Sequence, residues 1–431
     1  MNSRYVPIAF ISILLIAYYL IFYSILNHPN QLDFTSLYAA LLSLKKHENP
    51  YGILSSYFLP VTKELTANLN PPALLWIFSP LAKISYHASL LIWITLSFTL
   101  GLIGAGLAFY YAFSSAFLKK YWLILLLLYL SFFPTMVNTL LVQLGSFLLF
   151  FIMVGYHFFL TNRNFLAGFF WGFIVAVKFF PALIFFYALK QRRWSVFFIM
   201  LASFLIFSLI PFLIYGADIY LSYFTVMKRV FWYGDNWNAS ICGYIFRLFD
   251  YHNKLYLELA YLVIFFLFLG GYLYNLQSNQ TTKVNHQPFC LTLAMMLLIS
   301  PFGWLYYFPI LVFPLTLGWA IAFKESEVTT KTLLLWFLCF FLINLPQGYV
   351  RPIAMQNVAV SFIFSSFYFY GLLLLNYLFV LKKNLPGKND LKIEKKNVIF
   401  ILIVFFIALF GIGTTTVKIT LAADKALVAA S

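Results

Sequence analysis

Acidic residues are scarce in this chain. Only 12 Asp and Glu stand among 431 residues, against 28 Lys and Arg, and charged residues of both signs make up 9%. A soluble domain of this length needs far more charge to cover its surface, so water is not the main solvent. The three cysteines, Cys242, Cys290 and Cys339, form no close pair, which indicates neither a disulfide framework nor a zinc site. The chain has no H-E-x-x-H, no Gly-rich phosphate loop opening a helix and no cytoplasmic nucleotide domain. A nucleotide-sugar enzyme and an ATP-driven pump are therefore disfavoured. Neither an internal repeat nor a soluble domain is visible.

What the sequence has is apolar length. Hydrophobic residues make up 63%, with 53 Phe and 30 Tyr, a composition that suits packed membrane helices with aromatic belts. Crossing the hydrocarbon core takes about 20 apolar residues in a helix. The first such stretch runs over 7–26 behind Arg4; it is longer than a signal-peptide core and lacks an A-x-A-like cleavage site, so it reads as an uncleaved anchor. Others lie near 87–117, 121–141, 145–160, 165–189, 194–215, 255–276, 289–323, 332–345, 358–381 and 397–421. Two are interrupted, 165–189 by Lys178 and Pro181 and 289–323 by Ser300-Pro301, and each reads as a pair of half-helices that dip into the membrane and return. The expected fold is an all-α, multi-spanning membrane protein, one transmembrane domain over 1–431, with about 11–13 membrane helices including the two broken or re-entrant pairs.

The net charge of +16 does not call for nucleic acid, because the basic residues are spread over loops between apolar spans. Short loops carrying Lys119-Lys120, Lys190 to Arg193 and the run 382–396 fall on one side, which the positive-inside effect makes the cytoplasm. The N-terminus lies on that side as well. The run 382–396 reads as a solvated basic linker. The opposite side receives two long loops, 27–86 and 216–254, and a shorter one around 346–357. A one-sided site is expected there, on the extracytoplasmic face of a plasma (inner) membrane. Within the first loop, 34–47 has helical spacing and reads as an amphipathic helix in the interface, ended by Asn49-Pro50-Tyr51. Asn70-Pro71-Pro72 then starts a short apolar piece, Ala73 to Phe78, closed by Pro80.

Several residues could carry chemistry. Asp33 is either the N-cap of the helix that follows or a carboxylate tuned by partial burial as a general base. Lys178 stands alone in an apolar stretch, where a lysine costs roughly 2.5–3.5 kcal/mol at the centre of a span; it either snorkels to the interface or meets a phosphate there. The second long loop combines Asp235, Asn238 and Arg247 with Trp232, Tyr233 and Trp237, a weak sugar-binding pattern. Asn238-Ala239-Ser240 is also a formal glycosylation sequon. Ser300 to Tyr307 reads either as a proline kink with an aromatic belt or as part of a site. Arg351 is a candidate second phosphate contact.

In order along the chain, these landmarks resemble glycosyltransferase family 87. They are Asp33 with Tyr38-Ala39, Asn49-Pro50-Tyr51, Asn70-Pro71-Pro72 with Pro80-Leu81-Ala82, Lys178-x-x-Pro181 with Arg192-Arg193-Trp194, Asn238-x-Ser240 with Arg247, and Ser300-Pro301-x-x-Trp304. The family comprises C-type membrane glycosyltransferases, typified by polyprenyl-phosphate-mannose-dependent α-mannosyltransferases. The resemblance covers roughly 30–310, and the last third agrees in hydropathy alone. It departs in two places: the family often has Gly-Gln followed by Asn where this chain reads Val142-Gln143-Leu144-Gly145, and a His where this chain has Tyr306.

The resemblance implies a polyprenyl-phosphate-sugar donor, a lipid or glycan acceptor, inversion at the anomeric carbon and no cofactor. No cluster of metal ligands is visible. It implies Asp33 as the base and Lys178 and Arg247 as phosphate contacts; from the residues themselves Arg351 joins the phosphate candidates, and Tyr38, Asn70, Asp235, Asn238, Trp304 and Tyr306 are the candidates at the sugar and acceptor. The rival reading is a transporter or flippase of lipid-linked sugars, which broken helices and buried cations would also serve. The missing repeat and the one-sided loops favour the transferase.

Overall fold

The computed structural model describes residues 5–230, 232–249, 254–276, 284–324, 330–349, 362–381 and 385–389. Arg351 and the apolar stretch 397–421 lie outside them. Among the described residues there are seventeen α-helices and only isolated β-bridges. In chain order they are α1 Tyr5–Asn27, α2 Asp33–Lys45, α3 Pro72–Phe78, α4 Tyr86–Ala112, α5 Ser115–Ser131, α6 Phe133–Leu140, α7 Gly145–Leu160, α8 Asn164–Val177, α9 Leu183–Lys190, α10 Trp194–Tyr215, α11 Asp218–Lys228, α12 Ile241–Leu248, α13 Lys254–Asn275, α14 Gln287–Ile299, α15 Val312–Lys324, α16 Thr330–Asn344 and α17 Phe367–Leu381. The protein is a multi-pass, all-helical membrane protein. Helices α4, α10 and α13 are each long and apolar enough to cross a membrane, and α5 with α6, bent by 57°, makes a fourth if the pair is one span. The outward faces of α10 and α13 carry Phe198, Leu213, Leu255, Phe266 and Leu267, all exposed. Such a surface is stable against lipid and not against water.

Glycines set how closely the helices pack. On α8, Gly168 and Gly172 are four residues apart and face α10; a Cβ at Gly172 would lie 2.3 Å from the Met200 carbonyl oxygen, and one at Gly168 2.8 Å from that of Val196. Small residues at this spacing let two helix backbones touch inside a membrane. The register, 168 beside 196–199 and 172 beside 200–204, makes α8 and α10 parallel. Between them α9 must run back, and it does. The helix breaks at Lys178, whose backbone is extended at φ −153°, a short turn holds Pro181, and α9 returns. Arg193 then reaches Asn162 Oδ1 at 2.6 Å, so the chain leaves this hairpin at the end where it entered.

The second interruption behaves alike. After α14 the chain bends through 300–304, makes a 3₁₀ stretch over Leu305–Leu311, and by Phe313 its ring is 5.5 Å from that of His286 at the start of α14. The two hairpins expected from Lys178-Pro181 and Ser300-Pro301 are thus both present.

The ends of the bundle differ in charge. Arg163, Lys190 to Arg193 and Lys388 share one end, joined by the Tyr111–His157 hydrogen bond of 2.8 Å between the ends of α4 and α7. Residues 385–389 are not a free, solvated linker, and here the expectation is corrected. Backbone bonds tie Lys388 and Asn389 to Tyr111 and Ala112, and His286 N–H to Leu385; both Leu385 and Asn389 are buried. The amides of Asn285 and Asn389 bond backbone groups there, so this stretch is clipped onto the bundle. Helix α2 forms where expected, and nine of its thirteen residues are buried, so most of it is enclosed by protein.

The Gly172 contact has a measurable consequence. Gly172→Leu should lower stability in detergent by about 2 kcal/mol or more through overpacking. In the same thermal-unfolding series Gly106→Leu should be near neutral, since a Cβ there meets nothing within 4 Å.

Candidate active site

At the end opposite the basic residues lies a cavity of about 1310 Å³. Its walls come mostly from loops and helix breaks: the start of α2, the loop 64–71, the α6–α7 turn, the break at Lys178, the 300–307 bend and the 346–349 segment, joined by Tyr223 and Met227 of α11, Trp237, Phe265 of α13 and the end of α14. All three loops assigned to one face in the sequence, and both helix breaks, contribute. The charged side chains lining it among the described residues are Asp33, Glu64 and Lys178.

Asp33 is the first residue of α2, not its cap: Leu32 holds the cap position and no side chain caps the helix. The carboxylate turns instead to Gln143, whose Nε2 donates to Oδ2. Asp33 is half-buried, opening to the cavity, but the protein around it desolvates the charge and raises its pKa above the usual 3.8. The Gln143 bond and the positive charge of Lys178 pull the other way.

Gln143 is the functional neighbour that reading residue by residue did not single out, although the stretch containing it was noted as a departure. The structure explains that departure. Val142 has φ +55°, the left-handed region where Gly is free and a β-branched residue is strained. Asn138 braces the turn, its carbonyl accepting from Gln143 N–H at 2.9 Å and its Oδ1 from Gly145 N–H at 2.6 Å. Trp93 Nε1 bonds the Val142 carbonyl at 3.1 Å. Gly145 passes so close to the Tyr306 carbonyl that a Cβ would sit 1.9 Å away, locking this turn to the 300–307 bend.

Lys178 turns into the cavity. Nζ donates to Asn70 Oδ1 at 2.9 Å and lies 5.8 Å from the Tyr307 ring centroid. Asn70 is oriented in turn by Asn68, whose Oδ1 accepts from Asn70 Nδ2 at 2.9 Å. The rings of Trp304 and Tyr306, which line the same cavity, stack at 5.8 Å and 11°. Parallel rings on a cavity wall offer a flat apolar face of the kind that sugar rings lie against.

The other candidates lie elsewhere. Tyr38 is buried, donates to the Ile84 carbonyl at 2.7 Å and does not line the cavity. Asn238 is fully buried and satisfied: Nδ2 donates to the carbonyls of Tyr233 and Pro301, and Oδ1 accepts from Gly303 and Ser240 N–H. With Ala239 N–H bonded to Gly303 and Leu305 N–H to Trp237, it clamps the second loop onto the 300–304 bend. Two motifs sixty residues apart in the chain are one piece of architecture. Ser240 caps α12 through Gly243 N–H. Arg247 donates from Nη1 to the carbonyls of Asp235 and Asn238, each at 2.9 Å, and from Nε to Ser366 Oγ at 3.0 Å, away from the cavity lining. Asp235 is buried behind Tyr349, whose hydroxyl donates to it; Tyr349 itself lines the cavity. Among the described residues no three His, Cys, Asp or Glu side chains group as metal ligands would.

The model of glycosyltransferase family 87 matches residues 68–301, more than half of the chain. The chain belongs to glycosyltransferase family 87. That match takes in Asn70, Gln143, Lys178, Asn238 and Arg247, and it stops short of Asp33, Trp304 and Tyr306, which the fold brings to the same cavity. No curated protein and no solved structure matches the chain. Family 87 membership makes the protein a membrane glycosyltransferase, an enzyme that takes a sugar from a donor and gives it to an acceptor.

The hydrogen bonds of Arg247 lead to a test of its part. Arg247→Lys cannot make all three, and should cost about 2 kcal/mol or more in thermal unfolding. Were Arg247 instead a donor-phosphate ligand, the loss would appear in donor affinity with stability kept.

Proposed function

We propose that this family 87 enzyme transfers a hexose, mannose foremost, from a polyprenyl-phosphate donor to a hydroxyl of a lipid or glycan acceptor on the extracytoplasmic face of a plasma membrane. The observation that carries the reading is one cavity lined together by the Asp33 carboxylate, the Lys178 ammonium and the stacked rings of Trp304 and Tyr306.

The chemistry is a single displacement. Asp33 removes the proton of the acceptor hydroxyl as its oxygen attacks the anomeric carbon. The bond from that carbon to the phosphate oxygen breaks on the opposite side, so the configuration inverts. Polyprenyl phosphate leaves with one more negative charge than it had as a diester. Lys178, held by Asn70, is the cation placed to meet that charge as it develops. Asp33 ends protonated and returns its proton to solvent in the cavity. Phe180, Leu183, Met296 and Ile299 make an apolar wall suited to the first prenyl units of the donor. The scheme draws on the chain's own residues and no cofactor.

Two outcomes test it. With a polyprenyl-phosphate hexose in reconstituted membranes, Asp33→Asn should lower kcat by about 10²–10⁴-fold with donor binding kept, and Lys178→Met by about 10²–10³-fold. Equal turnover by Asp33→Asn would remove Asp33 from the chemistry. The pH profile follows from burial: a base works only when ionised, and its pKa is raised, so the acidic limb of kcat/KM should lie above the ordinary carboxylate range, with activity rising as pH climbs through it.

A further inference from the structure

We infer that Gln143 is the positioning residue for Asp33, held on a strained turn so that its amide fixes one carboxylate oxygen and leaves the other for the acceptor hydroxyl. The inference rests on Asp33 being the base.

Three observations carry it. First, the amide is aimed. Gln143 Oε1 accepts from the N–H of Leu144, the residue just before α7, at 3.4 Å, which leaves Nε2 directed at Asp33 Oδ2. The reverse orientation would set a carbonyl oxygen against a carboxylate. Second, the turn that presents it departs from what its sequence prefers. Val142 is held at φ +55° by the Asn138 and Trp93 bonds and by the close passage of Gly145 under Tyr306. Such backbone strain persists only where surrounding contacts over-determine it, and it collects at working sites. Third, a primary amide suits the task. It donates without titrating, so it cannot take the proton that Asp33 must collect, and it favours the ionised carboxylate.

Other groups also face Asp33. Lys178 on the α8–α9 break acts on it electrostatically, and Tyr306 and Tyr307, on the stretch after the 300–304 bend, feel its charge in turn. Glu64 lies on the wall of the same cavity. Lys178 favours the ionised form, whereas a negative charge on Glu64 would disfavour it. Removing Gln143 alone therefore moves the titration of Asp33 upward, since it takes away a bond made to the charged form.

The test uses the full chain in proteoliposomes, with polyprenyl-phosphate mannose and a host lipid extract as probes, and two variants. Gln143→Met keeps length and volume but cannot donate; Gln143→Glu keeps size and polarity and carries the test should the methionine variant fail to fold. Infrared titration follows the Asp33 carboxyl band, identified as the band absent from Asp33→Asn, and needs no turnover. Its midpoint should move up by roughly one pH unit in Gln143→Met and further in Gln143→Glu, where two carboxylates share a site. The acidic limb of the rate profile should follow. At the optimum, kcat should fall about tenfold to a hundredfold with the donor KM within about twofold of wild type. An unmoved band with wild-type turnover in either variant overturns the role of Gln143 and leaves Asp33 as the base. Wild-type turnover in Asp33→Asn would instead overturn the reading of Asp33 itself.

Discussion

The architecture turns on one lysine inside an apolar bundle. A bare ammonium in hydrocarbon is too costly to keep, so the chain around Lys178 is arranged to supply it with oxygen. The α8 helix stops there, the backbone extends for one residue, and α9 turns back. The loop 64–71 folds against the break, so that Asn70 meets the ammonium at 2.9 Å. Once that loop is drawn in, α2 before it is enclosed as well, and Asp33 at its first position comes to the same space. The cavity is the room left where loops and broken helices meet at one end. Close glycine contacts of α8 with α10 and of α4 with α7 hold the rest of the bundle tight around it.

Much of this could be read in advance because the signals are local. Proline and lysine inside an apolar run mark a break wherever they occur, and Asn-Pro-Pro starts a helix by its own geometry; both hairpins and α3 appear as written in the residues. The separation of basic loops from long loops likewise located the end that carries the cavity. Partners distant in sequence were a different matter. Gln143 is 110 residues from Asp33, and an isolated glutamine after a valine carries no pattern that a helix period or a motif could expose. Its signal was indirect, a valine where the family favours glycine, at a position whose backbone is left-handed.

Polar residues in the second loop posed the opposite difficulty. Asn238 and Arg247 belong to recurring motifs and have the chemistry to bind a sugar or a phosphate. In the fold they spend that chemistry on carbonyls of their own chain, clamping the second loop to the 300–304 bend and so placing Trp304 and Tyr306 on the cavity wall. Composition cannot distinguish a residue that binds a ligand from one that builds its wall, because both need the same donors. Residue types on α2 misled in a similar way: apolar residues at helical spacing, closed by lysines, suited an interfacial helix, and only tertiary packing decides that most of its surface is covered.

The family match and the cavity support each other from different parts of the chain. The matched segment holds Lys178 and its partner Asn70, while Asp33 and the stacked rings reach the site from outside it through the fold. The most direct measurement follows a labelled sugar on polyprenyl phosphate in nanodiscs containing the purified chain and a host lipid extract. The account predicts that label passes to an acceptor with inverted linkage while unglycosylated polyprenyl phosphate accumulates in equal amount. Label that stays on its lipid carrier, or that moves only from a nucleotide sugar, would contradict it.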